Sequence, residues 1–600
     1  MDWINKKKFA VPVLLFAVLA VYSGSLRSGF VWDDKFLIIQ REAFFHAPGS
    51  ALKIISSSDT PFGSKMENPY WRPVNTLSYM LDDRLWGQNP LWYHAENVLL
   101  HALAALLFYL LLDTVFRDGA VAFISALLFA VYPVNVEAVG FISARNNLFC
   151  ADFVLLSMLS LFWRRKHSWL AVLVFYFLAL LSKEPAVVLP FFLLSLRLVK
   201  GGDGQRAENR SWPRPSWPLL AGYFAALGLY FVLRRLVLGV FTSQEGIVLS
   251  PERLRFAATV LFENFRLMVY PFILNAFYTK KYVEGLGVLP AVLGALGAAL
   301  LLYLAWRPKG PAPVRAGALW ILWGLLPISN IVAIPSAPVA ERYQYLPLFG
   351  FLLMAGFLLD KLFRIKSSRG LRPAPGWAVP AILVLALGGW SFHRDSVWRD
   401  DVSLFKSMVR ANPGNADAHC WLGAAYQTGN NLEAAVNEFR TAIILDPGLA
   451  EAHLNLGLAY GAMDDPGDEM AEYKTAIRLK PGLVEAHLDL GVAYAGQNRP
   501  DDALREFQTA ARLAPDNAQA YYNLGLAYAG KRQFYPALEA FGRAAQLAPM
   551  NSMVRNNLGV TYEQLGRAGD AIAQFQAALK IDPDNTQAME NLERLTGQVR

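Results

Sequence analysis

The chain has 600 residues, 54% hydrophobic and only 17% charged, with a net charge of +8. That length exceeds one ordinary core and that charge share is low for a soluble protein, so at least two domains are expected, one of them in lipid. Its two cysteines, Cys150 and Cys420, exclude a disulfide framework and a cysteine metal site. No basic stripe interleaved with stacking aromatics occurs, so the excess of Lys and Arg is read as a membrane-topology signal and nucleic acid is not expected as a partner.

A spanning helix needs roughly 20 mainly apolar residues. Eleven candidates lie near 9–26, 96–116, 119–139, 147–163, 168–182, 186–199, 217–239, 287–306, 315–334, 346–363 and 376–392. The first follows Lys6, Lys7 and Lys8 and ends in "SGS". It resembles a signal peptide but reads better as an uncleaved anchor, because further spans follow. Residues 254–278 are also apolar, yet Arg255, Glu263, Asn264 and Arg266 interrupt them, so they are expected to be interfacial or re-entrant. With the N-terminus inside, "WRRKH" (163–167), the linker 200–216, "WRPKGPAPVR" (306–315) and "KLFRIKSSRGLR" (361–372) share the inner face, as the positive-inside rule requires. Residues 27–95, 132–146, 183–185, 240–286 and 335–345 then face outward, with everything beyond 395.

Ionisable residues at spans are costly and therefore candidates for function. Here they gather on the outer side: Asp33 and Asp34 in "SGFVWDDKF", Glu137 and Arg145 in "YPVNVEAVGFISARNN", Lys183 and Glu184 in "LSKEPAVVLP", Glu341 and Arg342 in "PVAERYQYLP". Acids and cations at the outer surface of a bilayer suit glycosyl transfer from a polyprenyl-phosphate sugar. A carboxylate takes the proton of an acceptor hydroxyl, and Arg or Lys steadies the departing phosphate. Of Asp33 and Asp34, one is expected to be the base and the other to position the acceptor, bind an ion or pair with a cation. The plainer readings are a solvated loop pair for Asp33 and Asp34, an ion pair of Glu137 with Arg145, a helix cap at Lys183–Glu184 and a local pair of Glu341 with Arg342. Asp82 and Asp83 read as solvated or capping.

Beyond residue 395 the chain is polar and periodic. Prolines recur at 413, 447, 481, 515, 549 and 583, and Gly423, Gly457, Gly491, Gly525 and Gly559 keep the same 34-residue step. Tyr426, Tyr460, Tyr494, Tyr528 and Tyr562 follow the glycines by three residues. Ala435, Ala503, Ala537 and Ala571 precede Phe439, Phe507, Phe541 and Phe575 by four; the second repeat has Glu469 and Tyr473 there and is expected to be looser. This pattern matches the tetratricopeptide repeat. Five repeats are assigned to 416–585, a half-repeat connector to 396–415, and a capping helix and tail to 586–600. His419, His453 and His487 share one repeat position, but stacked repeats hold equivalents too far apart for one metal ion, so packing or concave-surface contact is expected.

"FVWDDKFLI", "YWRPVNTLSYMLDDRLWG", "WYHAENVLLHAL", "YPVNVEAVGFISARNNLFC", "LLSKEPAVVLP" and "AERYQYLPLFGF", followed by these repeats, resemble the transmembrane and tetratricopeptide-repeat-containing O-mannosyltransferases. The wider similarity is to C-type membrane glycosyltransferases. The resemblance implies an all-α protein with a polytopic domain over 1–395, whose large first outer loop is 27–95, followed by an α-solenoid. It also implies a polyprenyl-phosphate sugar donor, often mannose, inversion at the sugar carbon, and an acidic catalytic residue in the first loop. By position, Asp33 and Asp34 take the catalytic role and Arg72, Arg145, Lys183 and Arg342 bind the donor phosphate. Glu137, Glu184, His94, Asn97 and His101 are supporting polar groups. Tyr132 and Asn135 depart from histidines common in the animal relatives. No metal ligand is assigned; Mg or Mn is an open requirement, with Asp33 or Asp34 as its candidate ligand.

The expected partners are the bilayer, the lipid-linked sugar and a protein acceptor or assembly partner held by the repeats. The expected location is a bacterial inner membrane, or an endoplasmic-reticulum membrane, with the repeats periplasmic or lumenal. The alternatives are a non-catalytic scaffold and a lipid-linked glycan ligase or polymerase. A transporter is disfavoured, because the charges sit at an edge rather than the midplane.

Overall fold

Among the described residues every regular element is a helix, and one isolated antiparallel bridge joins Tyr278 to Val339. The computed structural model describes residues 7–57, 70–163, 167–198, 215–239, 250–308, 310–331, 337–368 and 378–597. The expected inner loops 200–216 and 361–372 fall mostly or partly outside them. The chain divides into two compact units, Met1–Pro413 and Gly414–Arg600.

In the first unit, Pro90–Phe116, Trp217–Leu238 and Val288–Trp306 are long and apolar enough to cross a membrane. Lys8–Tyr22, Ser168–Ser182 and Ala312–Ile328 are shorter apolar helices. Local chemistry sets where such helices begin. The Asn89 side chain accepts from Leu91 N ahead of Pro90, and Asp118 accepts from Ala120 N and Val121 N. Over the expected span at 119–139 the helix is broken: Gly119–Ala130 and Pro133–Gly140 meet at a 48° bend. Pro133 has no N–H to continue the helix and holds Tyr132 extended at ψ 128. Residues 254–278 begin as the helix Pro251–Val269, which packs so closely on Val288–Trp306 that a Cβ on Gly294 would lie 2.0 Å from Ala258 O. Gly317 and Gly350 meet in the same way, each Cβ falling within 2.6 Å of the other's carbonyl oxygen. Such small-residue contacts replace the hydrophobic drive that helices lose in lipid.

The second unit is five helix pairs and a final helix, from Ala416–Thr428 to Thr586–Thr596. Each repeat glycine is needed: a Cβ on Gly423, Gly457, Gly491, Gly525 or Gly559 would come within 2.6 Å of the ring of Phe439, Tyr473, Phe507, Phe541 or Phe575. Tyr473 is only 2% exposed and fills the same slot as the phenylalanines, and Glu469 packs against Gly461. The helix Pro466–Leu479 nevertheless buries only Tyr473 and Ala476, fewer residues than the equivalent helix of any other repeat, as expected of a looser one. Asn415, Asn517 and Asn551 cap first helices and Asn585 caps the final helix, whereas Leu449 and Leu483 stand at that position in repeats two and three. A cap is worth about 1 kcal/mol and a buried leucine about 1.5–3, and Leu483, 8% exposed, takes the second.

Candidate active site

Asp33 and Asp34 open a short helix, Asp33–Leu37, and their side chains part there. Asp34 is fully buried. Val31 N donates to its Oδ2 at 3.1 Å, and Ser143 N, at 2.7 Å, and Ser143 Oγ both donate to Oδ1. Burial outweighs these hydrogen bonds and pushes the carboxyl up to about 7. Asp33 is exposed, in a recess crowded enough to raise its carboxyl from the ordinary range, with the Arg342 guanidinium pulling the other way.

Three cations from distant segments reach this recess. Arg342 is tied to buried Glu137, whose Oε2 accepts from Arg342 N at 2.8 Å while Oε1 pairs with its guanidinium. The ring of Tyr343 is flanked by Arg342 at 5.4 Å and by Lys183 at 5.2 Å. Arg72 pairs with Glu184 at 2.8 Å and lies over Tyr70 at 4.3 Å. Arg234 joins Glu184 from the other side at 3.4 Å. Burial would raise the Glu184 carboxyl, but Arg72 and Arg234 together hold it at about 2. Lys183 is 7% exposed, and its described hydrogen-bonding and ring partners are neutral: the side-chain oxygen of Asn147 and the Tyr343 face. Burial, then Arg72 and Arg342, hold its ammonium well below the usual lysine range. A buried ammonium whose hydrogen-bonding and ring contacts among the described residues are neutral, with the Glu184 carboxylate acting on it only from farther off, is a place where an anion would be stabilised.

A narrow apolar crevice is lined by residues that follow these cations in the chain, Ala186, Val188 and Leu189 after Lys183 and Leu346 after Arg342, together with Val154, Phe192, Trp320, Trp323 and Gly324. Phe192 and Trp320 also line a second crevice, which continues to Phe108, Leu155 and Leu353.

The other expected residues brace this recess. Arg145 is fully buried, with Asp82 at 2.6 Å, Glu96 at 2.7 Å, Asn97 Oδ1 at 2.8 Å and Tyr93 O at 2.9 Å around its guanidinium. Asp82 and Asp83 are therefore not solvated, as the sequence suggested; they are 6% and 2% exposed, and Asp83 faces His46 at 2.9 Å. The expected sequence-local pairs are corrected as well. Glu137 pairs with Arg342 and not with Arg145, and Glu341 pairs with Arg394 at 3.0 Å. Asn97 Nδ2 donates to Val139 O, and His94 Nε2 lies 3.3 Å from Gly29 O at the root of the first loop. His101 bridges Tyr345 OH, at 2.8 Å, and Ala130 O, at 3.2 Å. Tyr132 and Asn135 bond to the carbonyls of Met268 and Phe129.

Among the described residues no three His, Cys, Asp or Glu side chains converge as a metal site. Sequence reasoning missed Ser143, Asn147 and Arg234. Only Arg234 carried a signal, as a cation within an apolar span.

Models described as "TPR repeat" and "Tetratricopeptide repeat" match residues 428–464 and residues 450–482, 488–534 and 532–586. The second unit carries tetratricopeptide repeats. The chain is similar to protein O-mannosyl-transferase TMTC1 of Homo sapiens, 28% identical over 68% of this chain and 52% of that protein. It is likewise similar to protein O-mannosyl-transferase TMTC3 of Homo sapiens, 25% identical over 73% and 51%. The chain spans about half the length of the curated relatives it matches. Among solved structures, YrrB, described as a TPR protein with an unusual peptide-binding site, aligns at 22% identity with a TM-score of 0.28, covering 32% of this chain and 97% of its own.

Proposed function

We propose that this protein is an integral-membrane glycosyltransferase that moves mannose, or another hexose, from a polyprenyl-phosphate carrier to a protein Ser or Thr hydroxyl on the non-cytosolic side of the membrane. The observation that carries the reading is buried Lys183, bonded to the Asn147 side-chain oxygen and set against the Tyr343 ring, whose other flank is Arg342, with Arg72 close enough to repel its charge. Similarity to curated protein O-mannosyl-transferases supports the same class.

In this reading the donor phosphate lies against Lys183, Arg342 and Arg72 while its isoprenoid tail follows the crevice. Asp33 removes the acceptor proton as that oxygen bonds to the anomeric carbon. The bond from that carbon to the phosphate oxygen breaks on the opposite face, inverting the centre, and the electron pair leaves with polyprenyl phosphate, steadied by the three cations. Asp34 and Arg145, sealed by their own hydrogen bonds, hold the first loop and the helix Arg145–Ser160 in place. The tetratricopeptide repeats hold the protein acceptor or an assembly partner.

The test is transfer from polyprenyl-phosphate mannose or glucose to mixed envelope proteins by purified protein, with Mg2+ or Mn2+ added or chelated. Sugar transfer that disappears in Asp33→Asn supports the reading. An absence of transfer across the donor panel overturns it in favour of a scaffold, and transfer to lipid-linked glycan alone reassigns the acceptor.

A further inference from the structure

The turn that presents Asp33 is strained. Trp32, immediately before it, sits at φ 49 and ψ −118, a conformation that a bulky L-residue adopts only when its surroundings impose it. Packing supplies part of that constraint: the Trp32 indole stacks on Phe141 at 6.0 Å, Phe141 stacks on Trp398 at 5.1 Å, and Phe277 and Phe405 meet the indole edge-on. The rest comes from residues 399–401, at the other end of the first unit. Gly29 N donates to Arg399 O at 2.9 Å, Trp32 N donates to Asp401 Oδ1 at 2.9 Å, and Lys35 Nζ pairs with Asp401 Oδ2. One carboxylate thus grips the loop on both sides of Asp33 and Asp34. Asp401 is 18% exposed and opens the helix Asp401–Ala411, whose first turn is fixed by Ser403 N donating to Asp400 Oδ1 at 2.8 Å.

We propose that Asp401 is a positioning residue for the transfer reaction: its carboxylate locks the strained Trp32 turn and thereby aims Asp33 at the acceptor hydroxyl. The inference rests on the reading of Asp33 as the base. Trp32 N donates to Asp401 Oδ1 from within the strained turn; without that bond, the residue relaxes toward ordinary extended geometry and Asp33 turns relative to Arg342. A displacement of about 1 Å at a reacting group costs about 100-fold in rate. The role needs an acceptor oxygen at Oδ1 more than it needs charge, so asparagine serves where alanine does not.

The experiment compares wild type, Asp401→Ala and Asp401→Asn by steady-state transfer from polyprenyl-phosphate mannose, and by amide hydrogen exchange of the peptide spanning 28–37. Asp401→Ala is expected to lower kcat by about 100-fold with the donor KM within about twofold, and to speed exchange in that peptide. Asp401→Asn is expected to recover most of both. If Asp401→Ala does not reach the membrane folded, Asp401→Ser, too short to meet Trp32 N, carries the same expectation. Wild-type kcat in the alanine or serine variant, unchanged exchange at 28–37, or a loss shared between kcat and KM overturns the proposal. So does an asparagine variant as impaired as the alanine one. An absence of transfer in wild type overturns the function itself, while the exchange result still decides whether Asp401 holds the turn.

Discussion

Asparagine at position 33 and asparagine at position 34 should fail in opposite ways, although the two substitutions are chemically identical. At Asp33 the change removes the proton acceptor and breaks no buried hydrogen bond. General-base catalysis contributes about 10²–10⁴-fold, so the barrier should rise by about 3–5 kcal/mol while the melting temperature stays put. At Asp34 three donors, Val31 N, Ser143 N and Ser143 Oγ, converge on two oxygens. An amide has one oxygen; turned toward Ser143, it sets its NH2 against Val31 N and strands a buried donor, at a cost of about 1–3 kcal/mol. The cost depends on pH. Because burial lifts the folded Asp34 carboxyl to about 7, above its unfolded value, its contribution is fully present below the unfolded value and fades as pH rises through 7. The Asp34→Asn deficit should therefore be largest near pH 5 and shrink by pH 8. Thermal melts in detergent at pH 5, 6.5 and 8, paired with transfer per folded molecule, read both effects. Asp34→Asn that abolishes transfer with an unshifted melt, beside an active Asp33→Asn, would refute the assignment of the two aspartates.

Arg145→Met should cost about 3–5 kcal/mol and cut the folded yield, because it strands buried Asp82 and leaves half-buried Glu96 beside it unpaired; glycerol or low temperature should rescue yield and activity together, as measured by monodisperse peak area. Lys183→Met should leave the melt within a few degrees and raise the donor KM at least tenfold, read from donor titrations. In the solenoid, His487 Nδ1 lies 2.6 Å from Glu506, and that hydrogen bond raises the imidazole above its ordinary range. The pair's stabilisation is thus present below the unfolded histidine value and lost as pH rises through the folded one; exchange in the third repeat should quicken from pH 6 to 8, and less so in His487→Gln. Arg532 holds φ 58, and Arg532→Asn should gain about 0.5–1 kcal/mol, visible as a higher solenoid melting transition.

The solenoid was legible in sequence because its packing rule repeats: a glycine and the ring that fills its place recur every 34 residues, so five weak signals become one strong one. A second feature with the same period was not legible. Asn430, Asp464, Asn498, Arg532 and Gly566 all turn the chain between paired helices with positive φ, between 55 and 74. Four of the five are residue types that favour this conformation, but Asn, Asp and Gly are common in any polar loop, and Arg532 breaks the series. The membrane unit divides along the same line. That charge would gather near the ends of the apolar helices followed from the cost of burying it in lipid. Which charge meets which did not follow, since Glu137 passes over Arg145, eight residues on, for Arg342, 205 residues away. Asp33 and Asp34 are the limiting case. They are the same residue, adjacent, in the same loop, and what separates them is Ser143, 109 residues later, whose backbone and hydroxyl claim one carboxylate and leave the other to the recess. A residue's capacity for chemistry was readable from its type and its place next to an apolar run, but its freedom to use that capacity depends on partners that only the folded chain brings to it.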